Sequence, residues 1–141
     1  MGRILAIDYG TKRTGIAVTD PLRIVPGGLG TVATHELPKF LADYFGKEQV
    51  DLIVVGYPTN MNGEDSASMK QIRPFVEKLT KLYPDKKVIM FDERFTSVIA
   101  QRAILDSGIG RMARRNKALV DEVSATIILE SFMDSKQYKE I

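Results

Sequence analysis

The sequence predicts an α/β fold in which three antiparallel strands and then parallel strands form a mixed five-stranded sheet flanked by helices. Short apolar runs joined by turns occupy the chain before residue 34. After it, apolar runs alternate with segments whose apolar residues recur at helical spacing. Of the 141 residues, 44% are hydrophobic and 27% are charged, which is typical of a globular protein. The length fits one domain over residues 1–141.

The first part of the predicted sheet is an antiparallel meander. Residues 3–10 are apolar on both faces before Asp8, so we expect a central strand that is covered on both sides. Residues 14–20 predict a second strand, and the glycine-rich residues 24–33 predict a third and irregular one.

Helices and buried strands alternate in the rest of the chain. Thr34 is expected to cap a helix that ends near Gly46. Near-continuous apolar runs at residues 51–58 and 86–94 are typical of parallel strands buried on both faces. The remaining apolar spacing predicts helices at 66–82, 96–105 and 116–133. The predicted order is therefore β-β-β-α-β-α-β-α-α.

The composition excludes several kinds of site. The chain has no cysteine, which excludes disulfides, thiolate zinc sites and cysteine nucleophiles. The apolar run at the N-terminus is interrupted by Asp8 after a few residues, so it is too short for a signal peptide or a membrane span. We therefore expect a cytoplasmic protein.

Charge is distributed unevenly although the net charge is only +2. Residues 108–120 contain no acid and carry Arg111, Arg114, Arg115 and Lys117. A local basic patch of this kind can follow the phosphates of a nucleic acid. A solvated surface is the alternative interpretation.

Polar loops follow three of the predicted strands, at residues 8–15, 56–63 and 92–96. Two of these loops open with carboxylates. Ligands gather beyond the carboxyl ends of parallel strands in open sheets, so the functional residues are expected at this edge.

Asp8 is the central candidate for a functional acid. It continues the strand face of Ile4 and Ala6, so its carboxylate lies where a core residue would otherwise be. That position is costly unless the carboxylate meets a cation or hydrogen-bond donors. An Asx turn with Gly10 is the structural alternative, and the two interpretations have equal support from these residues alone.

Asp92 and Glu93 are the candidates for a second acid. Neighbours on a strand point to opposite faces, so only one of them can easily share a site with Asp8. We predict Glu93, which has the longer reach, and interpret Asp92 as a structural or helix-capping acid.

Asp121 is the candidate for a third acid. By helical spacing it shares a stripe of the last helix with three apolar residues, Ala125, Ile128 and Phe132. This stripe is expected to face the sheet, so the carboxylate needs a partner. A metal ion shared with Asp8 and Glu93 would supply one, and a salt bridge to Arg94 or Lys12 is the alternative.

The three acids Asp8, Glu93 and Asp121 predict a catalytic metal site. Three carboxylates without a nearby His or Cys form an all-oxygen ligand set, which suits Mg²⁺ or Mn²⁺. Two such ions about 3.5–4 Å apart would activate a water and stabilise the leaving oxygen of a phosphodiester. The pattern therefore indicates a nuclease.

Basic and amide side chains around the predicted site are candidates for holding nucleic acid. They are Lys12, Arg13, Asn60, Arg94, Arg114, Arg115 and Lys117. Each would be ordinary surface by itself, and their convergence on one region supports the prediction. His35, the one histidine, is expected at a helix start away from the site and is given no catalytic role.

Four motifs made of these residues resemble the YqgF (RuvX) family. In chain order they are Asp8-x-Gly10-x-Lys12-Arg13-x-Gly15-x-Ala17, Gly56-x-Pro58-x-x-Met61-x-Gly63, Asp92-Glu93-Arg94-x-Thr96 and Asp121-x-x-Ser124-Ala125-x-x-Ile128-Leu129. The resemblance implies an RNase H-like fold with Asp8, Glu93 and Asp121 as its acidic trio. It also implies a nuclease, since the family is described both as Holliday junction resolvases and as nucleases that process the 5′ end of the bacterial 16S rRNA precursor.

One departure from the wider fold bears on the substrate. RuvC-type resolvases resemble this pattern but carry a further Asp one turn after the helix acid, where this chain has Ser124. Resolution also needs two symmetric cuts and normally a dimer, and the sequence shows no evident dimer face, so a monomer and a weak dimer both stay open. We therefore predict structured RNA as the partner, and branched DNA is the alternative.

Two rival functions share parts of this pattern. A sugar- or acetate-kinase-like ATPase has the loop Asp-x-Gly-Thr-x-x-x-Gly that residues 8–15 match, but it needs a second domain that 141 residues cannot supply. A non-catalytic nucleic-acid-binding module resembles the fold without its acids, and this chain retains all three.

Overall fold

The chain forms a five-stranded sheet with helices on both faces. The computed structural model describes residues 2–57, 69–92 and 117–139, with the side chains of residues 117–122 outside that description. The strands lie in the order β3-β2-β1-β4-β5. Pairing is antiparallel from β1 to β2 and from β2 to β3, and parallel from β1 to β4 and from β4 to β5. The predicted mixed sheet is confirmed.

The strands and helices lie close to their predicted positions. The strands are β1 (Arg3–Asp8), β2 (Arg13–Thr19), β3 (Pro26–Ala33), β4 (Val50–Tyr57) and β5 (Lys87–Asp92). The helices are α1 (Leu37–Lys47), α2 (Met69–Leu82), α3 (Lys117–Met133) and the short α4 (Lys136–Lys139), which the sequence did not predict. The helix predicted at 96–105 lies outside the described residues. Within the described ranges, no helix has the length and apolar character needed to cross a membrane.

β1 is buried on both faces, as its sequence predicts. Leu5 and Ile7 have no exposed surface and pack on the side of α1 and α2. Ile4 and Ala6 are equally buried and pack on the side of α3. Because β1 is the middle strand of the sheet, only its two ends can present polar groups to a ligand.

The apolar stripe of α3 faces the sheet, which confirms that prediction. Ala125, Ile128 and Phe132 are buried in the cluster that contains Ile4 and Ala6 of β1. The Phe132 ring meets another buried ring edge-on, that of Phe91 on β5, with centroids 5.8 Å apart and an interplanar angle of 85°, a favoured aromatic geometry. The stripe therefore determines which face of α3 packs on β1.

β3 is irregular, also as predicted. Ile16 of β2 pairs with Gly30 and the next residue, Ala17, pairs with Gly28. Leu29 is therefore an extra residue with no counterpart on β2, which is a β-bulge. Gly30 has a φ of +155°, a backbone conformation that favours glycine.

The prediction that Thr34 caps the following helix is wrong. Thr34 begins a 3₁₀ turn that ends at Glu36. α1 starts only at Leu37, with Glu36 as an N-cap whose side chain makes no capping hydrogen bond. A hydroxyl residue before an apolar run correctly predicted a helix start here. The Thr34 hydroxyl, however, donates to the Gly10 carbonyl and not to the helix.

A single carboxylate organises the turn between β2 and β3. Asp20 Oδ1 accepts hydrogen bonds from the backbone N–H groups of Ile24 and Val25, both at 2.7 Å. Its Oδ2 accepts a third from the N–H of Leu22 at 3.2 Å. These bonds hold the pKa of Asp20 below its ordinary value of 3.8. The bond from the Val25 N–H has the largest effect.

We predict that Asp20→Asn reduces the loss of stability in acid. The lowered pKa means that the Asp20 carboxylate stabilises the fold at pH values above its unfolded pKa, and this contribution is lost as the pH falls through the folded pKa. Thermal unfolding measured from pH 7 to pH 2 should show a shallower acid decline for the variant than for the wild type. Asp43→Asn, at an exposed position of α1, is the control, and an equal effect of both variants would contradict the prediction.

Candidate active site

Asp8 ends β1 on the face that α3 covers. Strand alternation places it with Ile4 and Ala6, as the sequence predicted, and its side chain is half-buried. In the sheet register its partners are Gly15 on β2 and Gly56 on β4. Since neither neighbour has a side chain, no adjacent strand places a side chain directly beside the Asp8 carboxylate. A ligand or another backbone can approach closely at such glycines.

Asp92 lies on the opposite face of the sheet from Asp8. It ends β5 opposite Tyr57 and is only 6% exposed. It alternates with Val88 and Met90, which pack with the α1 and α2 cluster, and it interacts with another group of the chain. This placement agrees with its interpretation as a structural acid. Glu93, the predicted second acid, lies outside the described residues.

Position 121 lies on α3 one helical turn before the buried Ala125. By helical spacing, position 121 falls on the sheet-facing side of α3. The Asp121 side chain lies outside the described part of the structure. Among the described residues, no three acids or histidines come together as a metal site. Of the predicted trio, only the Asp8 side chain therefore has a described environment.

The loop after β1 is held by a residue whose role the sequence did not reveal. The hydroxyl of Thr34 donates to the carbonyl oxygen of Gly10 at 2.6 Å, and the Thr34 backbone N–H donates to the carbonyl oxygen of Lys12 at 3.0 Å. The Thr34 Oγ1 is also 3.0 Å from the Oγ1 of Thr14, which is fully buried. No spacing rule connects residues 24 positions apart, so only the helix start could be predicted here.

Gly10 is required by close packing inside the same loop. A Cβ atom at this position would overlap the carbonyl oxygen of Arg13. Its φ is not positive, so the requirement is for space and not for a left-handed backbone. The loop residue before it, Tyr9, stacks on Phe75 of α2, with centroids 4.5 Å apart and an interplanar angle of 27°.

Tyr9 and Thr34 also border an apolar cavity of about 250 Å³ between α1 and α2. Leu37 and Leu41 of α1 and Leu79 of α2 line its walls. The cavity is on the sheet face opposite to Asp8, because these leucines belong to the cluster of Leu5 and Ile7.

Two of the predicted nucleic-acid-binding residues are described, and both lie in this loop region. Lys12 is exposed and Arg13 is partly buried. Arg13 alternates with Gly15 and Ala17 on the α3 face, so it shares a sheet face with Asp8, and both residues interact with other groups of the chain. The side chains of Asn60, Arg94, Arg114, Arg115 and Lys117 are outside the description.

His35 lies at the start of the helical segment, as the sequence predicted. It follows Thr34, whose hydroxyl contacts Gly10. Its side chain is 82% exposed, with Nε2 3.9 Å from the carboxylate of Glu36. The expected helix start is confirmed. The expected distance of His35 from the site stays a prediction, because Glu93 and the Asp121 side chain lie outside the described residues.

Comparison with known proteins identifies the family. The model of the family described as "RuvX: Holliday junction resolvase" matches residues 2–135. A protein of Porphyromonas gingivalis is 62% identical over 96% of this chain and 98% of its own length. A protein of Phocaeicola vulgatus is 56% identical over 98% of this chain and 99% of its own length. Both relatives carry the name "putative pre-16S rRNA nuclease".

Among solved structures, YeaZ from Pseudomonas aeruginosa is similar with a TM-score of 0.44 and 20% identity, over 77% of this chain and 50% of that one. This likeness is too distant to inform the activity. The family match and the two relatives confirm the resemblance that the four motifs indicated, and the chain belongs to the RuvX family.

Proposed function

We propose that this protein is a metal-dependent nuclease that hydrolyses phosphodiester bonds in structured RNA and processes the 5′ end of pre-16S rRNA. Two relatives, 62% and 56% identical to this chain, carry the name "putative pre-16S rRNA nuclease". Ribosomal RNA processing would place the protein in the cytoplasm.

The observation that carries this proposal is the environment of Asp8. A carboxylate at the end of a fully buried strand has Gly15 and Gly56 as its register partners, on the face that α3 covers. Because these partners add no side chain beside the carboxylate, a cation and a phosphate can approach it across them. The loop that follows it carries the exposed cation Lys12.

We assign the metal ligands to Asp8, Glu93 and Asp121. On β5 the odd-numbered residues Ile89 and Phe91 belong to the cluster on the α3 face, and the same alternation favours Glu93 over Asp92 as the partner of Asp8. On α3 the helical period relates position 121 to the sheet-facing stripe. An oxygen-only donor set of this kind fits Mg²⁺ or Mn²⁺, and two ions would fit a phosphodiesterase.

The chain's own residues then have distinct roles in hydrolysis. Bound divalent ions would supply the acidity that activates a water and stabilises the leaving oxygen. Lys12 would neutralise a phosphate near the scissile bond, and Arg13, on the sheet face of Asp8, would orient it. Gly15 and Gly56 would leave room for the sugar-phosphate backbone beside Asp8.

Junction cleavage is the second candidate, because the matching family is described as a Holliday junction resolvase. Ser124, which is half-buried on α3, occupies the place of the fourth acid in RuvC-type resolvases. A serine hydroxyl is a weaker ligand for a hard divalent cation than a carboxylate. This difference favours RNA processing over junction cleavage.

We expect metal-dependent cleavage of an RNA that carries the 5′ extension of 16S rRNA, and slower cleavage of a four-way DNA junction of equal length. The assay compares both substrates with Mg²⁺, with Mn²⁺ and with excess chelator, at one salt concentration because phosphate contacts are salt-dependent. Faster cutting of the junction, symmetric on two strands, would replace the RNA assignment with the junction one. Cleavage of neither substrate would leave a non-catalytic binding module as the better description.

We predict that Asp8→Asn lowers kcat for RNA cleavage by more than about 100-fold, as loss of a group that supports charge in the transition state typically does. The melting temperature should change little, because the half-buried side chain keeps its shape. Single-turnover cleavage and thermal unfolding are measured for the variant and for the exposed control Asp43→Asn. If Asp8→Asn cleaved RNA as fast as the wild type, the observed cutting would come from another site or another protein.

We predict opposite consequences for the two neighbouring acids. Glu93→Gln should lower cleavage strongly and weaken Mn²⁺ binding measured by calorimetry. Asp92→Asn should lower the free energy of unfolding by about 1–3 kcal/mol, since it disturbs a buried polar group, and should keep most of the cleavage activity below the melting temperature. The reverse result would assign Asp92 to the site and Glu93 to a structural role.

A further inference from the structure

We propose that Thr34 is a positioning residue that fixes the loop after β1, residues 9–12, and through it the geometry of Asp8 and Lys12. This inference rests on the proposed nuclease function. It concerns a side chain that lies in none of the four family motifs and that the sequence marked only as a helix start.

The hydroxyl groups of Thr14 and Thr34 form a directional chain. A hydroxyl has one proton to donate, and Thr34 donates its proton to the Gly10 carbonyl at 2.6 Å. In the 3.0 Å contact between the two hydroxyls, Thr14 must therefore be the donor and Thr34 the acceptor. The chain runs from buried Thr14 through Thr34 to the loop backbone, and each bond in such a chain polarises the next.

The Thr34 backbone makes a second tie to the same loop. Its N–H donates to the Lys12 carbonyl at 3.0 Å, so one residue holds the loop at Gly10 and at Lys12. Tyr9, stacked on Phe75, anchors the first residue of the loop. Between these ties, Gly10 lies so close to the Arg13 carbonyl that a side chain there cannot fit. With no side chain of its own to pack, Gly10 depends on the bond from the Thr34 hydroxyl for its position.

Position matters here because the loop begins at the residue after Asp8. A displacement of about 1 Å in a group that orients the reacting atoms can cost on the order of 100-fold in rate. Loss of the Gly10 tie would therefore act on kcat through Asp8 and Lys12, although Thr34 itself touches no substrate. A purely structural hydroxyl would change stability and leave the kcat of the folded protein unchanged.

The test uses the full chain and the variants Thr34→Val, which has the same shape without the hydroxyl, and Thr34→Ser, which keeps the hydroxyl. Thr80→Val is the matched control, because Thr80 on α2 donates an equivalent hydroxyl bond, to the Val76 carbonyl at 2.9 Å. We expect Thr34→Val to lower kcat for RNA cleavage about 10-fold or more, with a smaller change in KM. Thr34→Ser and Thr80→Val should remain near the wild type.

Amide hydrogen exchange without substrate or metal separates this inference from the proposed function. We expect faster exchange in residues 9–13 for Thr34→Val and no change there for Thr80→Val. If Asp8→Asn leaves cleavage intact, the nuclease proposal fails, while the exchange result still decides whether Thr34 holds the loop. A folded Thr34→Val protein with wild-type kcat, or with unchanged loop exchange, overturns the positioning role.

A milder variant keeps the inference testable if Thr34→Val does not fold. Thr14→Val removes the donor to Thr34 but leaves the bond from Thr34 to Gly10 in place. It should therefore lower kcat less than Thr34→Val and accelerate exchange of the loop amides to an intermediate degree. Wild-type kcat and wild-type loop exchange in folded Thr14→Val would argue against the hydroxyl chain.

Discussion

Burial of β1 on both faces is the constraint on which the rest of the structure depends. Four successive residues of this strand, Ile4 to Ile7, have no exposed surface. Their two faces require separate apolar covers, and α1 with α2 supplies one while α3 supplies the other. A polar group on β1 can then be accommodated only at an end of the strand. Asp8 occupies the carboxyl end, and its register partners on both neighbouring strands are glycines.

The surroundings of Asp8 are assembled from parts of the chain that are far apart in sequence. The strand that carries it is positioned by the core, its glycine register partners come from β2 and β4, and the loop after it is tied to the segment before α1. The two faces of the sheet are divided accordingly. Asp8 and Arg13 lie on the α3 face, whereas Thr14 lies on the face of α1 and α2, where it meets Thr34. The candidate site and the threonine pair that holds the loop therefore lie on opposite faces of the sheet at one edge.

Periodic features of this fold could be predicted from the sequence, because they depend on neighbours a few residues away. Alternation along β1 gave the face of Asp8, alternation along β5 separated Asp92 from it, and helical spacing gave the stripe of Ala125 and Phe132. The Thr34 contact could not be predicted in this way. Whether a hydroxyl caps its own helix or binds a distant carbonyl depends on how the 3₁₀ turn packs against the β1 loop, and local spacing does not encode that packing.

The bulge at Leu29 also affects how the sheet ends. β3 is an outer strand of the described sheet, and a regular outer strand offers a row of N–H and C=O groups on which another chain can build. An extra residue followed by a glycine with positive φ breaks the even spacing of that row. In the turn that leads into β3, Leu22, Ile24 and Val25 are each more than 60% exposed. The misaligned backbone thus makes this edge a poorer template for pairing with another strand.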